Sequence, residues 1–114
     1  MIEAQRIAAG KRWIGEVFER LRRVYLGTVP IETWDWQDED PEYRIRVQLA
    51  GHAAPAYIPS YGLGFGRGQL VACGHPDPGN DPARHDVEAT LRGRLAALAV
   101  APRAPGPPKP NAHP

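Results

Sequence analysis

Residues 43–50 read YRIRVQLA, a stretch in which large apolar side chains alternate with polar ones. Tyr43, Ile45, Val47 and Leu49 therefore share one face of a β-strand, and the residues between them share the other face. A strand with one apolar and one polar face is typical of an antiparallel sheet that is covered on one side only. This stretch predicts a sheet with one face in the core and one face in water.

The segments on either side of this strand are β-rich but less regular. Residues 28–36 (TVPIETWDW) read as an edge strand or an extended segment, because Pro30 cannot donate a ladder hydrogen bond. Residues 37–42 (QDEDPE) then read as a six-residue hairpin loop. Residues 51–68 show no period and read as a long loop, and residues 69–73 (QLVAC) read as a short third strand.

Amphipathic helices are predicted at both ends of the sheet segment. Residues 3–26 repeat apolar side chains at spacings of three and four, and Gly27 follows where a left-handed cap would end a helix. A second helix is predicted from Pro82 to about residue 100, with Asp81 as its N-cap. The fold we expect is α+β, a small two-layer domain with an antiparallel two- or three-stranded sheet and both helices on one face. The expected core is Ile14, Val17, Phe18, Leu21, Tyr25, Ile45, Val47, Leu49, Leu70, Val87, Leu91, Leu95 and Leu98.

Length and composition limit the class of protein. The 114 residues suit one domain over residues 1–100, followed by a Pro-rich disordered tail over 101–114 that holds six prolines and no large apolar residue. A single cysteine excludes an intramolecular disulfide scaffold. A net charge of +1 excludes a strongly basic nucleic-acid coat protein or an acidic mimic that acts through its overall charge. Charged residues interrupt the N-terminal segment and no apolar run is long enough for a membrane span. We therefore expect a cytoplasmic protein that does not bind membranes.

Five large aromatic side chains lie in irregular or edge segments. Trp34 and Trp36 fall within IETWDWQDEDPE (31–42), which has six carboxylates and no basic side chain, and Tyr57, Tyr61 and Phe65 lie in the Gly-rich loop. Aromatic residues of this kind are frequent anchors of recognition surfaces. The alternative is that one tryptophan belongs to the core, that the acids form a solvated hairpin tip, and that the loop is only flexible or tightly turned.

Basic residues suggest a second kind of partner. Arg12, Arg20 and Arg23 on the first helix, together with Arg44 and Arg46 on the polar strand face, could contact phosphates and make the protein a nucleic-acid binder. Carboxylates lie at pairing distance from several of the helix arginines, which favours the alternative of a solvated, internally paired helix face.

Cys73, His75 and His85 contain residue types that bind zinc, and they carry the second alternative, a small metal-dependent hydrolase. The spacing matches no closed structural pattern and no fourth ligand is evident, so Cys73 also reads as a small core residue and the segment as a polar loop. A Cys–His nucleophile pair is weaker still, because a single cysteine has no family signature here.

Two family likenesses, one in the order of elements and one over ten residues, carry no site residues. The order of helix, strands and helix resembles a double-stranded-RNA-binding domain, but DPARHD (81–86) stands where that family has a lysine cluster. VQLAGHAAPA (47–56) is similar to a segment of staphylococcal-nuclease-like enzymes, but Gln48, Ala53 and Ala56 replace the family's arginine, aspartate and glutamate. A relationship with that family would imply an inactive relative.

The sequence has neither paired catalytic groups nor a cofactor-binding loop, so we expect a non-enzymatic binding protein, an adaptor or inhibitor that needs no cofactor. Its protein contacts would come from the aromatic Gly-rich loop and the acidic hairpin with its tryptophans. The modest core suggests that a partner or self-association adds burial. The prolines of residues 101–114 could serve as a linear ligand for an aromatic groove, or belong to a disordered end.

Overall fold

A computed structural model describes residues 2–24, 29–39, 42–59, 64–76 and 81–100. The elements in chain order are α1 (Glu3–Val24), β1 (Ile31–Glu39), β2 (Glu42–Leu49), β3 (Ala56–Ile58), α2 (Arg67–Cys73) and α3 (Pro82–Val100). The strands form one antiparallel sheet in the order β1-β2-β3. The predicted α+β class is confirmed, whereas the predicted cap at Gly27 and the predicted tail lie outside the described residues.

The hairpin between β1 and β2 is tighter than predicted. The strand β2 is where the sequence placed it, but β1 continues to Glu39, which pairs with Glu42. The expected six-residue loop is therefore wrong, and only two residues connect the strands. Both polar residues are accommodated in the strand, because Gln37 on the polar face accepts a hydrogen bond from Arg44 at 3.1 Å and Asp38 on the other face pairs with Lys11.

A register shift in β1 decides which side chains face the helices. Ile31 lies opposite Leu49 and Thr33 lies opposite Gln48, so one extra residue is inserted between them, as in a β-bulge. Past the shift the alternation is reversed. Ile31 and Trp34, three residues apart, consequently both contribute to the face that the helices cover.

Residues 69–73 form a helix, so the predicted strand at this position is wrong. A short apolar run does not distinguish helix from strand by its period alone. Here Gly66 is extended, its carbonyl accepts the Leu70 N–H at 3.0 Å, and Leu70 and Cys73 bury one face of α2. The third strand lies instead at Ala56–Ile58, within the segment predicted to be a loop.

The core joins all three helices to one face of the sheet. The predicted core residues are buried, except that Leu98 is only partly buried and Tyr25 lies outside the described residues. Ile58, Phe65 and Cys73 are buried in addition. Asp81 Oδ1 accepts the Ala83 N–H at 2.8 Å, which confirms the predicted cap of α3.

The helices α1 and α2 touch backbone to backbone. A Cβ atom at Gly10 would overlap the carbonyl oxygen of Leu70, and a Cβ atom at Gly74 would overlap the carbonyl oxygen of Arg6. The end of α2 is also held from α3, where the Arg84 guanidinium donates to the Cys73 carbonyl at 2.7 Å and stacks over Trp13 at 4.5 Å. Glycines therefore set the distance between the first two helices.

Candidate partner-binding groove

The strand β1 has an open edge. It pairs with β2 on one side, and no strand among the described residues pairs with it on the other. The Tyr43 N–H and C=O both bond to Phe65, on the far side of β2 from β1. Because bonding directions alternate along an antiparallel strand, Arg44 and Arg46 bond toward β1 and their partners are Gln37 and Asp35. The backbone groups of the residues between, Trp34, Trp36 and Asp38, therefore point to the open edge.

Trp34 lies half-buried between the strand edge and α1. Its ring meets Phe18 edge to face, with centroids 5.0 Å apart at 71°, and its Nε1–H donates to the Glu19 carboxylate at 2.5 Å. A Cβ atom at Gly15 would come within 3.2 Å of the Trp34 ring, so the missing side chain leaves room for the indole. Packing fixes this ring while one side stays open to solvent.

Trp36, two residues further along β1 and on the same face, is also held by packing. Its ring packs against Phe65 with centroids 6.1 Å apart at 62°. The Lys11 ammonium lies 5.6 Å from the ring centroid and 2.5 Å from the Asp38 carboxylate. A cation over an indole is attracted by the ring's negative face, so Lys11 and Trp36 hold each other in place.

A groove of about 570 Å³ runs between the exposed flank of α1 and the two indoles. We call it the β1 groove; it is lined by Lys11, Arg12, Gly15, Glu16, Glu19, Arg20, Arg23, Trp34 and Trp36. Lys11 pairs with Asp38, and Arg20 lies 3.4 Å from Glu88. Glu19 accepts hydrogen bonds from Arg22 and Trp34. The lining holds four basic side chains against two carboxylates, Glu16 and Glu19, so its apolar rings and net positive charge suit a partner that has apolar and acidic groups.

Two cations of the groove have no ion-pair partner in the part of the chain that the structure describes. The side chains of Arg12 and Arg23 are exposed and make no ion pair or hydrogen bond with the described residues. Because exposed guanidinium groups without partners can bind carboxylates or phosphates, they give the groove a positive end at each side of the tryptophans.

The structure divides the predicted aromatic set. Trp34 and Trp36 share the β1 groove, whereas Tyr57 pairs with Arg46 on the opposite face of the sheet. Tyr61 lies outside the described residues. The expectation that Phe65 is exposed is wrong, since only 1% of its surface is accessible.

Phe65 is buried because its glycine neighbour allows a close approach rather than mobility. Phe65 exchanges two backbone hydrogen bonds with Tyr43, at 2.8 and 3.0 Å. A Cβ atom at Gly64 would lie 2.7 Å from the Tyr43 nitrogen, so a larger residue could not sit there. The aromatic ring is thereby directed beneath Trp36 and into the core.

The basic residues predicted for nucleic-acid binding do not share one surface. Arg12, Arg20 and Arg23 line the groove, but Arg44 and Arg46 lie on the polar face of the sheet. Arg46 donates twice to the Asp35 carboxylate, at 2.6 and 3.0 Å. This hydrogen bonding lowers the pKa of Asp35 and raises the pKa of Arg46. Arg44 lies over the Tyr57 ring at 4.6 Å.

The weak metal candidates are not brought together either. Cys73 is fully buried, whereas His75 and His85 are exposed. Within the described ranges no three His, Cys, Asp or Glu side chains converge as metal ligands would. Burial raises the pKa of the Cys73 thiol to about 11, so it stays protonated at neutral pH.

The raised pKa of Cys73 predicts a loss of stability in alkali. The unfolded thiol ionises near its ordinary value of 9.0, whereas the folded thiol resists ionisation up to about 11. The contribution of Cys73 to the free energy of unfolding is therefore constant below pH 9 and falls as the pH rises toward 11. Urea unfolding of the protein and of Cys73→Ala should show a difference in stability that shrinks across this window. A difference that is constant from pH 8 to pH 11 would contradict the assigned burial.

Part of the groove has no clear signal in the sequence. The sequence indicates Trp34 and Trp36 as binding residues but gives no such indication for Gly15, Glu16 and Glu19. Their spacing along α1 places them on one helix flank, which the sequence shows, but which flank lies beside β1 depends on tertiary packing.

The chain was compared with protein-family models, curated proteins and solved structures, and none of the three comparisons finds a match. Among the described helices, none combines the length and apolar composition needed to cross a membrane.

Proposed function

We propose that the protein is a non-enzymatic binding protein, an adaptor or inhibitor in the cytoplasm, that docks a protein partner in the β1 groove. The observation that carries the proposal is the pair of half-buried tryptophans beside an open strand edge. Tryptophan and arginine are enriched among the residues that dominate binding energy. The Gly-rich loop is left out of the surface, because Phe65 belongs to the core.

The two tryptophans suit binding because contacts within the protein already restrict their side chains, so little conformational entropy is lost when a partner docks. Trp34 is held by Phe18 and Glu19, and Trp36 by Phe65 and Lys11. Rigid aromatic anchors lose little conformational freedom when a partner docks. A partner that covers the remaining exposed indole surface gains apolar burial at low cost.

Nucleic acid is a second candidate, favoured by the unpaired guanidinium groups of Arg12 and Arg23 beside aromatic rings. Base stacking on indole and phosphate contacts by arginine would then share the groove. This mode predicts affinity that falls by orders of magnitude from low to moderate salt, whereas an aromatic protein contact weakens little.

A displayed library of random peptides, selected on the immobilised protein, tests the proposal. We expect selected peptides to lose binding to Trp36→Ala by about tenfold or more, because an anchor of the groove is removed. Tyr57→Ala is the matched control, since it removes a half-buried aromatic from the opposite sheet face. Urea unfolding should confirm that both variants are folded.

Two results would overturn the proposal. One is a set of selected peptides that bind Trp36→Ala and the parent protein equally. The other is a failure to select any peptide while a single-stranded oligonucleotide binds with a steep dependence on salt, which would favour the nucleic-acid alternative.

A further inference from the structure

We infer that the partner is an extended, acidic peptide segment that adds to the sheet as a fourth strand along the open edge of β1. This inference rests on the proposed function and specifies its ligand. The backbone groups of Trp34, Trp36 and Asp38 point away from β2 and have no strand partner among the described residues. Such an edge binds extended peptides through main-chain hydrogen bonds, with alternate side chains giving specificity.

The usable part of the edge is short and well defined. Pro30 lacks an N–H, and the register shift between Ile31 and Thr33 distorts the start of the strand. From Trp34 to Glu39 the pairing with β2 is regular. An added strand would therefore pair along these six residues.

Side chains of the added strand would reach the groove at every second position. Neighbouring strands lie about 4.8 Å apart, so these side chains would rest against the outer sides of Trp34 and Trp36 and the flank of α1. The opposite side chains would lie beside Thr33 and Asp35 on the polar face. An apolar side chain is thus expected at the central position on the groove side.

Charge determines the flanking positions. Arg12 and Arg23 are eleven residues apart on α1, or about 16 Å along the helix axis. The contacts Lys11–Asp38 and Glu19–Trp34 show that α1 runs antiparallel to β1. A strand of six residues has a similar length, so acidic residues on either side of the apolar one would reach the guanidinium groups of Arg12 and Arg23.

Segments of this chain fit the groove poorly. Pairing β1 with β1 of a second copy would bring together two α1 flanks whose Arg12 and Arg23 make no ion pair with the described residues. Residues 101–114 contain Arg103 and Lys109 and no acidic side chain. Because like charges disfavour both arrangements, the charge pattern selects a different, acidic partner.

A capped peptide, Thr-Glu-Thr-Ile-Thr-Glu-Thr, is the probe, titrated into the full chain and followed by NMR. We expect shifts at Trp34 and Trp36, and binding about tenfold weaker when both glutamates are replaced by lysine. The double variant Arg12→Ala/Arg23→Ala should also bind about tenfold more weakly. Arg67→Ala/Arg92→Ala removes the same charge from exposed positions on α2 and α3, outside the groove lining, and should bind as the parent does.

Backbone methylation tests the strand mode. Two further probes have N-methyl groups either on the threonine amides or on the glutamate and isoleucine amides. Amides of one set face β1 and those of the other face solvent, so one probe should lose binding by about tenfold while the other keeps it. Equal binding of the two methylated probes would overturn strand addition.

The outcomes separate this inference from the proposed function. If library peptides bind the groove through Trp36 while the acidic probe does not bind, or binds no better than its lysine version, the inference is wrong and the binding function stands. If no peptide depends on Trp36, the proposed function fails as well.

Discussion

Replacing Gly10 by alanine is expected to destabilise the protein by roughly 3 kcal/mol or more, although alanine favours helix by about 1 kcal/mol over glycine. The added methyl group would overlap the carbonyl oxygen of Leu70, which is backbone and cannot rotate away. Relief requires α1 and α2 to separate, and this would expose Leu70 and Cys73, both fully buried. Urea unfolding at neutral pH measures the change in the free energy of unfolding.

Gly93→Ala is the matched control for this prediction. Gly93 is exposed in α3, and a Cβ atom there meets nothing within 4 Å. The same substitution should stabilise the protein by about 0.5–1 kcal/mol, because only helix propensity changes. If both variants changed stability in the same direction, the close contact of α1 with α2 would be refuted.

These two glycines also show what a sequence can reveal about this fold. Both lie within predicted helices, where each glycine is expected only to lower helix stability slightly relative to alanine. The strand β2 and the helices α1 and α3 were predictable because side-chain period is a local property. The contact of Gly10 with Leu70 joins residues sixty positions apart, and no local pattern indicates it.

The bulge in β1 is indicated by the spacing of two large apolar residues in the sequence. Ile31 and Trp34 are three residues apart, a spacing that cannot place both on one face of a regular strand. Since both pack in the core layer, one extra residue must be inserted between them. The candidate site depends on this shift, because without it the tryptophans would face away from α1.

Neither the helix α2 nor the groove can be assigned from local sequence, because both depend on tertiary contacts. Residues 69–73 are few and apolar, and their choice of helix depends on the contact of Leu70 and Cys73 with α1 and α3. The groove requires one flank of α1 to lie beside Trp34 and Trp36. The rings are visible in the sequence, but the position of that flank depends on tertiary packing that no local pattern shows.

Replacing Phe65 by alanine is expected to destabilise the protein by about 3–5 kcal/mol. The ring is 1% exposed and packs edge to face with Trp36, and its backbone ties the loop to Tyr43. Truncation would leave a cavity beneath Trp36 that the surrounding sheet cannot fill. Chemical unfolding gives the stability change, and Trp fluorescence reports the loosened indole.

A milder variant keeps the prediction measurable if Phe65→Ala does not fold. Phe65→Leu retains most of the apolar volume and should cost less than the alanine variant, about 1–2 kcal/mol. Tyr57→Ala is the comparison across the sheet, where a half-buried ring stacks under Arg44, and it should cost about 1 kcal/mol or less. If Phe65→Ala and Tyr57→Ala lowered the free energy of unfolding by the same amount, the Phe65 ring would not belong to the core. It would then be an exposed aromatic that is available to a binding surface.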